Sequence, residues 1–378
     1  MQVSVEEIVQ QIHDAAQEFV LALSGGGAGG LVDLLATPGA SRSVLEAAVP
    51  YSEGAMIAWL GSRPDQFCSS RTARAMAMVA FRRACQYRDP HAPLAGLACT
   101  ASLASDRPKL GPHRAHVALQ SASVTACWTL LLEKDARTRR EEDAVVSRLL
   151  LNAIADACGV DESLDLRLCP GDSLENLRTV APPAWQGLLL GEVETVSQGK
   201  MPPKGSDVHR AVFPGEFNPL HVGHRRMAQI AQDLLGMPVE MEISITNVDK
   251  PPLDYLEIQR RVTQFEPDQV VWLSRAARFT EKSRLFPLST FIVGIDTLRR
   301  IAAPRYYGND PAACQAAIEL IASRGCRFLV FGRNLGTGFV TLRDLDLPPK
   351  LASLCSEVPP DKFREDISST SIRRAGQW

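Results

Sequence analysis

The sequence predicts an α/β protein of two domains, each with a mostly parallel sheet covered by helices. Three observations lead to this prediction. The chain has 378 residues, which is too many for one ordinary hydrophobic core. Short apolar stretches alternate with helical patterns in both halves, as expected for parallel sheets. Between the halves, residues 197–206 have the glycine, proline and serine content of a linker.

The composition is that of a globular protein whose partners are small molecules. The formal net charge is −2, and acidic and basic residues are interspersed, which gives no electrostatic reason to expect a nucleic acid or a membrane as partner. Residues 1–18 have the spacing of an amphipathic helix and lack the basic start and apolar block of a signal peptide. No apolar run reaches the length that spans a bilayer. We therefore expect a cytoplasmic protein.

The nine cysteines are scattered and form no Cys-x-x-Cys pair. An odd number of unclustered cysteines favours neither a zinc knuckle nor a complete disulfide framework. We expect most of them to be small buried hydrophobic residues, and we predict no protein metal site.

The first half, residues 1–160, is predicted to be one α/β domain. A strand is followed by a glycine-rich loop and by a helix that begins near Leu31, and further strands and helices follow. The predicted strands are 19–23, 94–100 and 115–120, and the predicted helices after the first are 70–85 and 141–158. The pattern weakens from Asp161, and residues 161–207 are interpreted as a connecting segment and linker.

The second half, residues 208–378, alternates strands and helices more regularly. Predicted strands are 209–213, 239–245, 270–273, 290–293 and 327–331, and predicted helices are 223–235, 256–265, 280–285 and 311–323. In parallel sheets, ligands bind at the carboxyl ends of strands where the chain order reverses. The loops after Phe213, Val293 and Phe331 are therefore where we expect the chemistry.

The loop after the first of these strands carries two histidines. Gly215 and Pro219 suit a tight turn, and His221 and His224, three residues apart at a helix start, share one face. The free N–H groups of a helix N-terminus favour phosphate. Gly223 leaves room for a planar group such as adenine. An isolated histidine here is usually a cap or a surface residue, and His-x-x-His can be half of a metal site. The position directly after a strand favours the phosphate interpretation.

The pattern Gly215-x-Phe217-x-Pro219-x-His221-x-Gly223-His224 resembles the first motif of the nicotinamide/nicotinate mononucleotide adenylyltransferases and their wider nucleotidyltransferase superfamily. The second family motif, Ile-Ser-Ser-Thr-x-Ile-Arg, appears at residues 367–373. The resemblance implies a Rossmann-like fold for about residues 208–376. Class I aminoacyl-tRNA synthetases also carry His-x-Gly-His, but their second motif is rich in lysine, so that alternative is disfavoured.

Further positions follow from the same resemblance. Residues 294–298 are similar to the Gly-x-Asp-x-Leu segment of the family, in which Gly294 would let the backbone approach the nucleotide and Asp296 would accept hydrogen bonds from ribose hydroxyls. Arg333 follows the next strand, where the family often has an arginine near ATP. Residues 250–261 look like the variable acceptor-side segment.

The implied reaction is attack by an acceptor phosphate on the α-phosphate of ATP, with release of pyrophosphate and assistance from Mg²⁺. His221 and His224 would contact the α-side phosphates, and Arg373 with Ser369 and Thr370 would contact the β- and γ-phosphates. The other residues expected to bind ATP are Gly215, Phe217, Asn218, Gly223, Gly294, Asp296 and Arg333. The chain departs from the family at Asn218, where aspartate is common, and at Glu216, where a small residue is usual.

The first half contains Gly25-x-Gly27-x-x-Gly30 after a strand, which satisfies a dinucleotide-binding pattern, but no acidic residue follows a clear second strand. It is more similar to the CinA C-terminal domain family, the nicotinamide mononucleotide deamidases. The similar segments are Gly29-Gly30-Leu31, Pro38-Gly39-Ala40-Ser41, Tyr51-Ser52 and Ala73-Arg74-Ala75-Met76.

Two departures concern catalysis in this first domain. The expected nucleophilic serine falls on Gly26, and the expected lysine falls near Met56. Ser24 lies two positions away and would substitute only in a rebuilt loop. Since amide hydrolysis through serine needs the hydroxyl and an activating group, we expect a degenerate domain that binds a nucleotide or mediates assembly of a homo-oligomer.

The leading functional hypothesis is an adenylyltransferase that uses ATP and a small phosphorylated acceptor, nicotinamide or nicotinate mononucleotide. The alternatives are transfer to another phosphorylated metabolite, a non-catalytic nucleotide-binding regulatory protein, and a bifunctional deamidase and adenylyltransferase. The choice between ATP and CTP stays open at this point.

Overall fold

The computed structural model describes residues 3–106, 110–200, 209–247, 251–334, 338–364 and 372. The chain forms two compact units. The first unit consists of Met1–Leu190 and Asp249–Gln259, and the second consists of Gly191–Val248 and Arg260–Trp378. The predicted two-domain α/β class is therefore confirmed.

The first unit contains a six-stranded sheet with the order β2-β1-β3-β4-β5-β6. Its strands are β1 (Glu18–Ser24), β2 (Val44–Ala48), β3 (Leu94–Ser102), β4 (His113–Ser121), β5 (Val124–Leu132) and β6 (Ser173–Val180). Its helices are α1 (Val5–Asp14), α2 (Ala28–Ala36), α3 (Glu53–Leu60), α4 (Ser70–Tyr87), α5 (Arg139–Ala157) and α6 (Pro183–Leu190). Helix α2 begins three residues earlier than expected from the apolar pattern, because glycines start it.

This first sheet is mixed, with three antiparallel pairings out of five, whereas the sequence suggested a mostly parallel arrangement. β1 pairs in parallel with β2 and β3, whereas the pairings from β3 through β6 are antiparallel. The reason lies in the connections. Only Ala122 and Ser123 separate β4 from β5, and a link this short makes a hairpin, since parallel neighbours need a long crossover.

Helices cover both faces of the first sheet. Ile8 and Ile12 of α1 and residues of α2 and α5 pack in one hydrophobic cluster against β1, β3 and β4. On the other face, α4 packs through Met76 against alanines of the central strands. The contact is close: a Cβ on Gly96 of β3 would lie 2.1 Å from the Ala77 carbonyl oxygen. Glycine is required there so that α4 can rest on the sheet.

The second unit contains a seven-stranded sheet with the order β15-β12-β11-β8-β9-β10-β7, and a separate pair formed by β13 and β14. The strands are β7 (Thr195–Gln198), β8 (Ala211–Pro214), β9 (Val239–Ser244), β10 (Val271–Ser274), β11 (Thr290–Gly294), β12 (Arg327–Phe331), β13 (Arg333–Asn334), β14 (Phe339–Val340) and β15 (Cys355–Glu357). The helices that lie wholly in this unit are α7 (Val222–Leu235), α9 (Phe279–Leu285), α10 (Ile295–Ile301), α11 (Pro311–Ser323) and α12 (Pro349–Ser353). Helix α8 (Tyr255–Val262) is divided between the two units after Gln259.

The order of the parallel strands determines where a ligand can bind. From β8 the chain proceeds through β9 and β10 on one side, then returns through β11, β12 and β15 on the other. The order in which the chain adds strands to the sheet therefore reverses between the parallel neighbours β8 and β11. At such a switch point the loops diverge and leave a crevice at the carboxyl ends of the strands. β7 is the exception in this sheet and pairs antiparallel with β10.

The boundary between the units differs from the expected connecting segment 161–207. β6 and α6 belong to the first unit, β7 belongs to the second, and the division falls between Leu190 and Gly191. Residues 249–259, expected in the second domain, belong to the first, where Asp254 forms an ion pair with Arg74 at 3.4 Å. Composition locates turns, but it does not reveal which sheet a strand joins.

Within the described residues, no helix is both long and apolar enough to cross a bilayer.

Candidate active site

The loop after β8, residues 215–221, is called the signature loop below. Gly215 donates its N–H to the Glu242 carbonyl oxygen at 2.9 Å, which ties the loop to β9. Phe217 has a positive φ of 43° and folds its ring back over the loop. A Cβ on Gly215 would lie 2.5 Å from Cζ of that ring, so only glycine permits the arrangement. Phe217 also packs edge-on against Phe213 and Phe265, each at 5.4 Å between ring centroids.

Two arginines near the end of α8 also donate hydrogen bonds to the signature loop. Arg260 donates to the Asn218 side-chain oxygen at 2.5 Å, and Arg261 donates to the Glu216 carbonyl oxygen at 2.9 Å. Asn218 is buried, and its amide oxygen is occupied by this bond from Arg260. Glu216 is exposed, which explains how an acidic residue is tolerated next to a site expected to bind phosphate. The backbone of Glu216, rather than its carboxylate, contributes to the structure.

The two histidines lie together at the N-terminus of α7. His221 is the N-cap and His224 lies in the first turn, and their rings stack with centroids 3.8 Å apart and 22° between planes. The His221 N–H donates to Nδ1 of His224 at 3.4 Å. Since Nδ1 of His224 accepts, its proton belongs on Nε2, which is then available as a donor.

Burial keeps both rings neutral. It lowers the pKa of His224 to about 3, and the neighbouring His221 and the charge of Arg333 add to the effect. Burial followed by the charge of Arg333 also lowers the pKa of His221. A neutral imidazole can donate one hydrogen bond to an oxygen without supplying or removing a proton.

His221 has an unused polar atom. Its Nδ1 is buried and has no hydrogen-bond partner within the part of the chain that the structure describes. Buried polar atoms normally have a partner. The first turn of α7 also presents N–H groups that no preceding turn can satisfy. The end of α7 therefore has the donors of an anion site.

The loops after β11 and β12 complete the arrangement. Gly294 is the N-cap of α10, and a Cβ placed on it would meet no atom of the described residues within 4 Å. Asp296 in the first turn of α10 forms an ion pair with Arg333 after β12. Arg333 is also near enough to lower the pKa of both histidines. The structure thus brings these residues together at the switch point.

The remaining predicted site residues are placed as follows. Gly223 is buried at the second position of α7. Ser369, Thr370 and Arg373 of the second motif lie outside the described residues. Residues missed by sequence reasoning are Arg260, Arg261 and Gln264, which act on the signature loop. They read as the polar face of an amphipathic helix, and nothing in their spacing points to a loop forty residues earlier.

A buried ion pair joins β9 to α9, next to the point where β9 bonds to the signature loop. Glu242, whose carbonyl oxygen accepts from Gly215, is fully buried and binds Nζ of Lys282 at 2.6 and 2.7 Å. Ser274 donates a further hydrogen bond to the Glu242 carboxylate at 2.5 Å. A buried pair with these extra hydrogen bonds fixes the position of β9 under the loop.

The first unit has a comparable glycine loop, residues 25–30, before α2. Gly25 and Gly27 have positive φ values of 81° and 84°. The Gly27 N–H donates to a carboxylate oxygen of Asp143 at 2.8 Å. A Cβ on Gly26 would meet the Ala101 Cβ at 2.9 Å, so the position expected for a nucleophilic serine is closely packed. Met56, near the expected lysine position, is buried.

Comparison with known proteins assigns the second unit. Residues 212–375 match the model of the cytidylyltransferase-like family. The chain therefore carries a nucleotidyltransferase domain, and the match supports nucleotidyltransferase activity, as the two motifs predicted. None of the curated proteins compared with the chain matches it significantly.

Solved structures are similar to the N-terminal part of the chain. The competence/damage inducible protein CihA from Agrobacterium tumefaciens is 18% identical and has a TM-score of 0.34; the match covers 42% of this chain and 98% of that one. A competence-damaged protein (CinA) superfamily protein from Escherichia coli is 17% identical, with a TM-score of 0.33 and coverage of 42% and 94%. The expected resemblance to CinA proteins is thus confirmed as a resemblance, and it shows nothing about activity.

Proposed function

We propose that the second unit transfers AMP from ATP to nicotinamide or nicotinate mononucleotide and releases pyrophosphate. The observation that carries this proposal is the pair of stacked, neutral imidazoles at the N-terminus of α7, with Nδ1 of His221 buried and unused by the described residues. The choice of acceptor rests on the resemblance of the first motif, residues 215–224, to the mononucleotide adenylyltransferases. A cytoplasmic location fits the nine free cysteines.

The chemistry needs donors rather than a nucleophilic side chain. An oxygen of the acceptor phosphate attacks the α-phosphorus of ATP in line with the departing pyrophosphate. Nε2–H of His224 and the free N–H groups of α7 donate to oxygens on which negative charge builds. Arg333 adds positive charge beside them. In the proposal, Arg373 with Ser369 and Thr370 binds the β- and γ-phosphates.

Mg²⁺ fits this site as an ion carried by the nucleotide. Among the described residues no group of three or more histidine, cysteine, aspartate or glutamate side chains could hold a metal. Asp296 is bound to Arg333, so phosphate oxygens and water would be the ligands, as is usual for Mg²⁺ with nucleotides. When bound, the ion neutralises charge on the triphosphate.

CTP is the alternative nucleotide, since the matching family is described as cytidylyltransferase-like. The description gives no acceptor. At Gly294, no described side chain lies within 4 Å of an added Cβ, so none is identified there that would recognise the base. Nucleotide choice is therefore decided by comparison of ATP with CTP in the same assay.

The test is pyrophosphate release by the full chain. The protein is incubated with Mg²⁺, with ATP or CTP, and with a panel of phosphorylated acceptors, and the dinucleotide product is identified by chromatography. We expect release with ATP and a nicotinamide or nicotinate mononucleotide. Release with a different acceptor would correct the substrate. Nucleotide binding without release for any acceptor would favour a regulatory protein and refute the transfer proposal.

For the first unit we propose that it lacks deamidase activity. Gly26 supplies no hydroxyl, its surroundings leave little room for a side chain, and Met56 offers no activating group. Amide hydrolysis through a serine needs both groups. The measurement is ammonia release from nicotinamide mononucleotide without ATP. A rate above background would establish a bifunctional enzyme.

A further inference from the structure

We infer that Gln264 is a positioning residue for nucleotidyl transfer, because its side chain fixes the turn that aims His221 and His224. The inference rests on the proposed function of the second unit. Gln264 lies two residues beyond α8, outside both family motifs. It is partly buried and does not belong to the α7 end, where the phosphates are expected.

The side-chain amide of Gln264 bridges both ends of one tight turn. Its Nε2 donates to the Phe217 carbonyl oxygen at 2.9 Å, and its Oε1 accepts the Leu220 N–H at 2.7 Å. The same nitrogen also contacts the Arg261 carbonyl oxygen at 3.1 Å, which holds the side chain against its own backbone. One amide thus satisfies a donor and an acceptor that no helix or sheet bond of the turn supplies.

Both bridged residues control the histidines. Phe217 has a backbone conformation that is uncommon for a residue with a side chain, and its ring packs against His224 with centroids 5.1 Å apart. Leu220 directly precedes His221, the N-cap of α7. If the amide were lost, the turn would be free to relax, and the direction in which the chain enters α7 would change. Arg260 and Arg261 hold other atoms of the loop and cannot replace this bridge.

A role in positioning predicts a loss in turnover that exceeds the loss in ATP binding. The N–H groups of α7 and the charge of Arg333 still attract a triphosphate in the variant, whereas in-line transfer depends on geometry. A misplacement of about 1 Å can reduce the rate by roughly 100-fold. A purely structural residue would instead lower the melting temperature and leave kcat of the folded fraction unchanged.

The experiment compares Gln264→Met, which keeps the length but removes the hydrogen bonds to Phe217 and Leu220, with Gln264→Glu, which keeps the acceptor for Leu220. We expect kcat to fall roughly 10- to 100-fold in Gln264→Met, with Gln264→Glu between it and the wild type, and KM for ATP to change by less than about threefold. Gln315→Met on the exposed face of α11 is the matched control and should behave as wild type.

Two outcomes would overturn the inference. One is a wild-type kcat in Gln264→Met; the other is a kcat loss that disappears when activity is expressed per folded molecule. A second readout does not depend on turnover: the imidazole NMR signals of His221 and His224 should shift in Gln264→Met and Gln264→Glu and stay in place in Gln315→Met. If the wild type transfers to no acceptor, the proposed function fails, and these signals still decide whether Gln264 positions the histidines.

Discussion

The two units each place a glycine-containing loop between a parallel strand and a helix, but they treat the helix N-terminus differently. In the first unit, Asp143 of α5 accepts the Gly27 N–H, and side chains of Ala101, Leu103 and Asp143 pack around Gly26. In the second, the loop before α7 ends on two stacked imidazoles, and Nδ1 of His221 has no partner among the described atoms. An internal carboxylate thus caps the first helix end, whereas we propose that a ligand is bound at the second.

The difference shows that strand, glycine loop and helix do not by themselves make an anion site. Every helix N-terminus has N–H groups without an intrahelical partner, and the rest of the protein determines whether they are satisfied internally. Asp143 is 116 residues from the loop it caps. A sequence pattern limited to Gly25–Gly30 could not reveal that, whereas the histidines of the second loop belong to the motif itself.

The largest expected effect tests the proposed phosphate site at the N-terminus of α7. His224→Ala removes a neutral donor from the place where phosphate charge builds, and kcat should fall by roughly 100- to 1000-fold. His91→Ala, at an exposed position in the first unit, is the control and should leave kcat unchanged. The measurement is steady-state pyrophosphate release with the preferred acceptor. Unchanged turnover in His224→Ala would remove this histidine from the site.

Much of the second unit was predictable because its signals are local. The apolar strands at 290–293 and 327–331 and the helix at 311–323 were placed within a residue of their observed bounds. Parallel strands in a covered sheet are short apolar runs that need no knowledge of their neighbours. The same holds for His221 and His224, whose three-residue spacing follows from helix geometry.

Long-range pairing explains what the sequence did not reveal. β6 has mostly exposed residues and no apolar pattern, so its sequence is typical of a connecting segment. The segment 251–259 looked like part of the second domain, yet Tyr255 donates its N–H to Thr125 of the first unit. Gln264 was missed for the same reason, since its partners precede it by more than forty residues.

The second prediction uses two glycines, Gly294 and Gly54, at which an added Cβ would meet no atom of the described residues within 4 Å. Gly294→Leu would place a side chain in the volume next to the α10 N-terminus, where we propose that the nucleotide lies. Overpacking costs about 1–3 kcal/mol, so KM for ATP should rise roughly 5- to 150-fold. Gly54→Leu in α3 of the first unit also meets nothing within 4 Å and should not change KM. Equal KM values in both variants would place the nucleotide elsewhere.

The third prediction addresses the internally capped loop. Asp143→Ala removes the acceptor of the Gly27 N–H, and loss of a hydrogen bond to a charged group costs about 1.5–3 kcal/mol. Amides of residues 25–30 should therefore exchange with deuterium faster, whereas transfer by the second unit should be unchanged. Asp143→Asn keeps an acceptor oxygen, so its amide exchange rates should lie between those of the wild type and those of Asp143→Ala. Unaltered exchange in Asp143→Ala would show that another group satisfies the loop.

The smallest expected effect concerns one neutral histidine in each unit, the partly buried His224 and the buried His116. Burial lowers the pKa of His224 to about 3 and that of His116 to about 4, from the ordinary 6.5. Between those values and 6.5 the unfolded chain binds a proton that the folded chain does not. Their stabilising contribution is therefore present above pH 6.5 and is lost as the pH falls. From pH 7 to pH 6, each histidine should cost its unit roughly 0.7 kcal/mol of unfolding free energy.

His224→Gln and His116→Gln should each reduce this pH dependence by the same amount, measured from the unfolding midpoint of the affected unit in urea at pH 7 and pH 6. The equality follows because both folded-state pKa values lie far below this window, so only the unfolded imidazole titrates within it. An unequal reduction would mean that one of the two rings already carries a proton at pH 6. For His224 that would replace a neutral donor with a charged one at the proposed phosphate site.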